Sequence, residues 1–121
     1  MTSRRAPAEV RERFTAELAA ARVARRAGRT EAAWASLERA HVVSQPWAGM
    51  HTRSHWAMLT LAARTRDVRE GVGQVARLAL AAPGSASGRY PLGNTGRARV
   101  SMFAPMPVPD ELEDLLPDGA S

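Results

Sequence analysis

Apolar residues recur at helical spacing along residues 8–82. At about 100° per residue, Val10, Phe14, Leu18, Ala21 and Ala24 share one side of a helix predicted from about Ala8 to Ala27, with Arg11, Arg22, Arg25, Arg26 and Arg29 turned elsewhere. Gly28 is the natural C-terminal cap, and Thr30 is placed to cap a second helix running to about Val43. The stripe of that helix holds Ala33, Leu37 and Ala40, flanked by Trp34 and His41, with Ala35 and Arg39 facing away. Pro46 and Gly49 mark a reversal, after which His51, His55, Met58, Leu59 and Ala62 line one face of a third helix, about Met50 to Thr65.

Asp67 then caps a fourth helix, predicted from Val68 to Ala82, with Val68, Val72, Val75, Ala76 and Ala79 on its inward face and Glu70 and Gln74 turned away from it. Thr30 to Ala40 can be laid over Val68 to Leu78 at a shift of 38 residues, a spacing near the period of helical repeats. The fold class is all-α: four main helices forming two antiparallel helical hairpins, either repeat-like or a compact bundle. Residues 1–121 form a single domain, with a flexible lead at 1–7, a helical core at 8–82, and a loop and C-terminal arm at 83–121.

The arm changes character. Gly84, Ser85, Ser87, Gly88, Pro91, Gly93 and Gly96 read as a long loop, and Arg97 to Phe103 alternates as a short extended segment would. Pro105, Pro107 and Pro109 keep the backbone extended until Asp110 starts a last turn or two through Leu116. Val100, Met102, Phe103, Met106 and Val108 are apolar enough to fold the arm back over the helices. Gly93-Asn94-Thr95-Gly96, followed by Arg97 and Arg99, offers backbone amides but lacks the lysine and helix of a phosphate-binding loop, so a turn with Asn94 in the left-handed region is the preferred reading.

Two features break the apolar pattern. Glu17 projects within about 40° of Val10, Ala21 and Ala24, which puts a carboxylate on an apolar stripe. All three histidines of the chain, His41, His51 and His55, also fall on inward stripes, where an unsatisfied ring nitrogen is costly. The short connection after the second helix brings its end, with His41, near the start of the third, and His51 and His55 are i,i+4 neighbours able to reach one ion. The pattern predicts a metal site of His41, His51 and His55 with Glu17 as fourth ligand. Glu38, three residues before His41, is the alternative carboxylate and the first candidate for a general base.

Composition narrows the chemistry. With no cysteine, any metal must use nitrogen and oxygen ligands, and a carboxylate beside imidazoles points to zinc or non-haem iron; haem would need a larger apolar pocket than alanine-rich helices offer. All 17 basic residues are arginine, which excludes lysine Schiff-base chemistry. The net charge of +5 hides an acidic end, Asp110, Glu111, Glu113, Asp114 and Asp118, available to the basic body. The arginines of the first helix have no interleaved aromatics, so nucleic acid is disfavoured as a partner. No apolar run reaches a membrane span and no signal pattern opens the chain, so a cytoplasmic location is expected.

Glu38-Arg39-Ala40-His41, the later His51 and His55-Trp56, then Gly93-Asn94-Thr95-Gly96-Arg97 and Met106-Pro107 form an ordered set. Together they resemble a small bacterial family, domain of unknown function 3703, over about Phe14 to Leu116. The resemblance implies no activity. The reading from residues is a metal-binding protein with an open coordination position that permits enzymatic chemistry on a small molecule. Its alternative is a helical-repeat-like adaptor that binds a protein partner without metal, and the alanine-rich faces leave room for a homo-oligomer.

Overall fold

The computed structural model describes residues 5–86, 92–98 and 105–117. They form α1 (Ala8–Arg26), α2 (Thr30–Ser44), α3 (Ala48–Arg64), α4 (Val68–Ala86) and the single turn α5 (Asp110–Glu113), with no strand among the described residues. Helix α4 continues past Pro83 to Ala86 instead of stopping at Ala82. Among the described residues, no helix is long and apolar enough to cross a membrane. The extended segment expected over Arg97 to Phe103 lies, beyond Ala98, outside the described residues, as do Val100, Met102 and Phe103.

The two hairpins close in the same way. Gly28 takes φ +74°, so that its N–H reaches the Arg25 carbonyl and the Arg29 N–H reaches that of Ala24. Thirty-eight residues on, Arg66 takes φ +58°, its N–H on Ala63 O and the Asp67 N–H on Ala62 O. Arginine lacks glycine's freedom there, and the left-handed region costs it on the order of 1 kcal/mol. The internal likeness is therefore structural, down to individual hydrogen bonds. Asp67 caps α4 as expected, with its Oδ1 accepting from the Glu70 N–H at 3.1 Å. Thr30 does not cap α2; it is the first helical residue, after Arg29.

Packing follows chain order, α1 on α2, α2 on α3 and α3 on α4, so α2 is flanked on both sides and α4 on one. Two buried clusters result. The first joins Val10 and Phe14 of α1 to Ala40, Val42 and Val43 of α2 and to Leu112 of α5, with Val108, Leu115 and Leu116 packed against it. The arm thus does return to the helices. Glu111 adds charge to that contact, 3.6 Å from Arg13 and 3.9 Å from Arg39. The second cluster joins Ala21 to Ala33, Trp34 and Leu37 of α2 and to Met58, Leu61 and Ala62 of α3. Full burial of side chains such as Phe14 and Met58 contributes about 1.5–3 kcal/mol each.

Helix α4 faces the opposite way from its apolar pattern. Val68, Val72 and Val75 are 76%, 67% and 58% exposed, and Ala76 and Ala79 are exposed beside them. Glu70, Gln74 and Arg77 are buried instead. The expected inward stripe is thus corrected, and its physical reason is the set of partners that satisfies the polar one. Trp34 and Leu37, the counterparts of Val72 and Val75 at the 38-residue shift, are buried because α3 lies over α2.

Candidate metal centre

His41 sits near the end of α2, and His51 and His55 on successive turns of α3. The tight turn through Gln45 and Trp47 brings these helix ends together, the Trp47 N–H donating to Ser44 O at 2.9 Å. All three rings are buried, with centroids 4.6, 4.8 and 5.0 Å apart. Their Nε2 atoms converge: His41 to His51 is 3.0 Å and His41 to His55 is 3.1 Å. A tetrahedral zinc site with Zn–N near 2.0–2.1 Å sets its nitrogens about 3.3–3.4 Å apart. The two distances from His41 are within a few tenths of an ångström of that, and all three ligand atoms lie within 4.8 Å of one another.

Hydrogen bonds behind the rings decide where the protons are. His41 Nδ1 lies 2.6 Å from the Asn94 carbonyl, which can only accept, so Nδ1 carries the proton. His55 Nδ1 lies 2.6 Å from Gln74 Oε1. The orientation of that amide follows from its other end, since Gln74 Nε2 donates to Gly96 O at 2.7 Å and to Glu70 Oε2 at 3.2 Å. Both rings therefore present a bare Nε2 to one another. Two lone pairs at 3.1 Å repel unless a cation lies between them.

A proton does not meet that need at neutral pH. Burial lowers His41 well below its ordinary value, reinforced by His55 and His51, with Arg77 adding to it and the Asn94 bond opposing it. Burial, then His55, brings His51 down to about 3. Burial brings His55 to about 4, against the Gln74 bond and with help from Arg77. Three neutral rings with one ligand atom each, all within 4.8 Å, form a nitrogen-only donor set that fits a transition-metal ion.

The supporting shell comes from parts of the chain that carried no site expectation. Gly96, at φ +84°, lets the loop lie flat on His41, since a β-carbon there would sit 2.7 Å from His41 Cδ2. Asn94 Oδ1 accepts from the Gly96 N–H at 2.9 Å and Gly93 donates to Gln45 Oε1 at 2.8 Å. The positive φ values belong to Gly93 and Gly96, not to Asn94. A β-carbon at Gly73 would meet Ala98 Cβ at 2.5 Å, so α4 and the loop touch through that glycine. Arg97 completes the fastening: it bonds Glu70 at 2.7 Å and Glu38 at 3.1 Å and lies over the Trp34 ring at 3.9 Å.

Both carboxylates expected at the histidines are elsewhere. Glu17 is buried, but its Oε2 accepts from Arg13 Nε at 2.8 Å and Arg39 Nε at 2.9 Å. Its partner on the apolar stripe is a pair of guanidinium groups, and Arg39, read as facing away, turns in to supply one. Glu38 is held by Arg97 and is not in the cluster that the three histidines form. Gln74 and Glu70, expected to face away from the other helices, are the residues that reach the site, Gln74 at His55 and Glu70 through Gln74. The readable signal for them was Glu70, Gln74 and Arg77 at i, i+4 and i+7, a polar stripe as regular as the apolar one.

A family model described as Protein of unknown function (DUF3703) matches residues 8–116. The chain belongs to that family. The DUF3703 match spans the three histidines, Gln74 and the Gly93–Arg97 loop, so the whole centre lies within the family's extent. Comparison with curated proteins and with solved structures finds no match.

Proposed function

We propose that this protein binds a transition-metal ion through the Nε2 atoms of His41, His51 and His55. The observation that carries the reading is the pair of bare imidazole nitrogens of His41 and His55 facing each other at 3.1 Å, each fixed from behind by a hydrogen bond at Nδ1. Such backing bonds are the usual second layer around a metal-ligating histidine. The carboxylate that pointed to zinc or non-haem iron is engaged by two arginines, and because three imidazoles with an open position are a zinc ligand set in their own right, zinc is the first ion to test. A haem does not suit rings this close together. Three protein ligands leave one tetrahedral position for water or a substrate, where the ion would supply Lewis acidity.

Elemental mass spectrometry of tag-free protein purified without chelator tests this, beside the His51→Ala/His55→Ala variant. Near-stoichiometric metal in the parent and its loss in the variant is the expected result. A folded, metal-free parent that takes up no added zinc, iron or copper would overturn it.

The adaptor reading retains one observation of its own. Val68, Val72 and Val75 form an exposed apolar strip on α4, and Val72 and Val75 stand at the positions where α2 receives its neighbour. A partner helix there would extend the packing order of the chain, with or without metal in the centre.

A further inference from the structure

Away from the histidines, α1 and α3 both lean on α2 and leave a groove between them. Its volume is about 260 Å³. The floor is apolar, built from Leu18 and Ala21 of α1, Leu37 of α2, and Ala57 and Leu61 of α3. The walls end in Arg22 and Arg25 on one side and Arg64 on the other, with no carboxylate among the lining residues. These positions follow helical spacing on both walls. Leu18, Ala21, Arg22 and Arg25 stand at i, i+3, i+4 and i+7, and so do Ala57, Thr60, Leu61 and Arg64.

Because α1 and α3 each run antiparallel to α2, their sequences advance in the same direction along the groove. One end is therefore apolar and the other cationic. One turn before the apolar end, Arg53 lies over the Phe14 ring at 5.2 Å, bringing the two helices together there. From Leu18 to Arg25 the groove runs about 10 Å at the rise of an α-helix. None of Arg22, Arg25 and Arg64 makes an ion pair among the described residues, although the acidic residues Glu17, Glu38, Glu70 and Glu111 all do.

We propose that this groove binds a small amphipathic anion: a linear apolar chain on Leu18, Leu37 and Leu61, with a single carboxylate or phosphate head among Arg22, Arg25 and Arg64. Charge complementarity selects the head, since three guanidinium groups around one mouth favour a fork-matching oxyanion. The volume lies just below the usual range for ligand pockets, about 300–1,000 Å³, and so favours a short chain over a large lipid. This site is separate from the histidines and does not depend on their loading.

Isothermal titration of the full-length protein with hexanoate, octanoate and decanoate tests the proposal, with octanol as the uncharged control and backbone amide shifts to locate the site. Affinity should rise up to about fourfold per added methylene until the groove is filled. Octanol should bind at least about tenfold more weakly than octanoate, and Arg22→Gln/Arg25→Gln/Arg64→Gln should weaken octanoate by a similar factor. Ala57→Leu, which fills the floor and keeps every arginine, should also weaken it. Shifts confined to residues 18–25, 57–64 and the neighbourhood of Leu37 would support the assignment. Absence of saturable binding, equal binding of octanol, undiminished binding in the arginine variant, or binding only of an acidic helical peptide would each overturn it.

Discussion

Gln74 shows how one side chain links the centre to the fold. Its oxygen receives the His55 Nδ1–H while its nitrogen donates to Gly96 O and Glu70, so α3, α4 and the loop meet in one amide. Gln74→Leu removes the backing bond and leaves the Glu70 and Gly96 acceptors with one donor fewer. Zinc affinity, measured by competition with a chelating dye, should fall about 10–100-fold, the usual effect of losing such a bond. Glu70→Ala, neutral if Glu70 faced away, is now expected to weaken binding through the same amide.

The histidines also set a pH dependence for the ion-free protein. Folding holds His55 at about 4, His51 at about 3 and His41 well below 6.5, whereas the unfolded chain takes up protons below about 6.5. Between those values the unfolded state binds more protons than the folded one. Their contribution to stability is full above about pH 6.5 and is lost as pH falls toward 4, by up to about 4 kcal/mol per pH unit for the three together. Urea unfolding of chelator-treated protein across that range should show the slope, and His51→Gln should lower it by about a third. A stability flat from pH 7 to about 5 would contradict neutral burial.

At the scale of elements, α4 gives the clearest lesson. A regular stripe of valines and alanines predicts an inward face, but a helix with a neighbour on one side only buries the face whose groups have partners there. Glu70 and Gln74 point in because Arg97, Gly96 and His55 receive them, and Arg77 is buried on the same face. Threonine at Val68, Val72 and Val75 should therefore shift stability by no more than about 0.5 kcal/mol per site in thermal melts. Leu37→Ala, at the position equivalent to Val75, should cost about 2–5 kcal/mol. Comparable losses in both would restore the inward reading of the valines.

For the whole molecule, Arg97 is the charged tie from the loop to two helices at once. It reaches Glu38 on α2 and Glu70 on α4 and covers Trp34, with its own side chain 9% exposed. Arg97→Gln strands the Glu70 carboxylate in a buried position, and breaking such a pair costs about 3–5 kcal/mol. Arg97→Lys should recover little, because one ammonium cannot serve both carboxylates and stack on the ring. Urea denaturation of the three proteins would check this, and near-parental stability in Arg97→Lys would show that charge alone suffices.

Periodicity determined by itself that the chain is helical, where the first three helices turn, and that His41, His51 and His55 lie on inward faces near one helical reversal. Those features depend on residues close in sequence, whose spacing is set by the helix itself. The Gly28 turn and its 38-residue echo at Arg66 are local in the same way. Tertiary structure alone decided the rest. Whether Glu17 meets a metal or Arg39, which side of α4 is buried, and what stands behind each imidazole depend on groups separated by 22, 27 and 53 residues. A buried polar group takes whichever partner the packing brings within hydrogen-bond reach, and no spacing along a single helix records that partner.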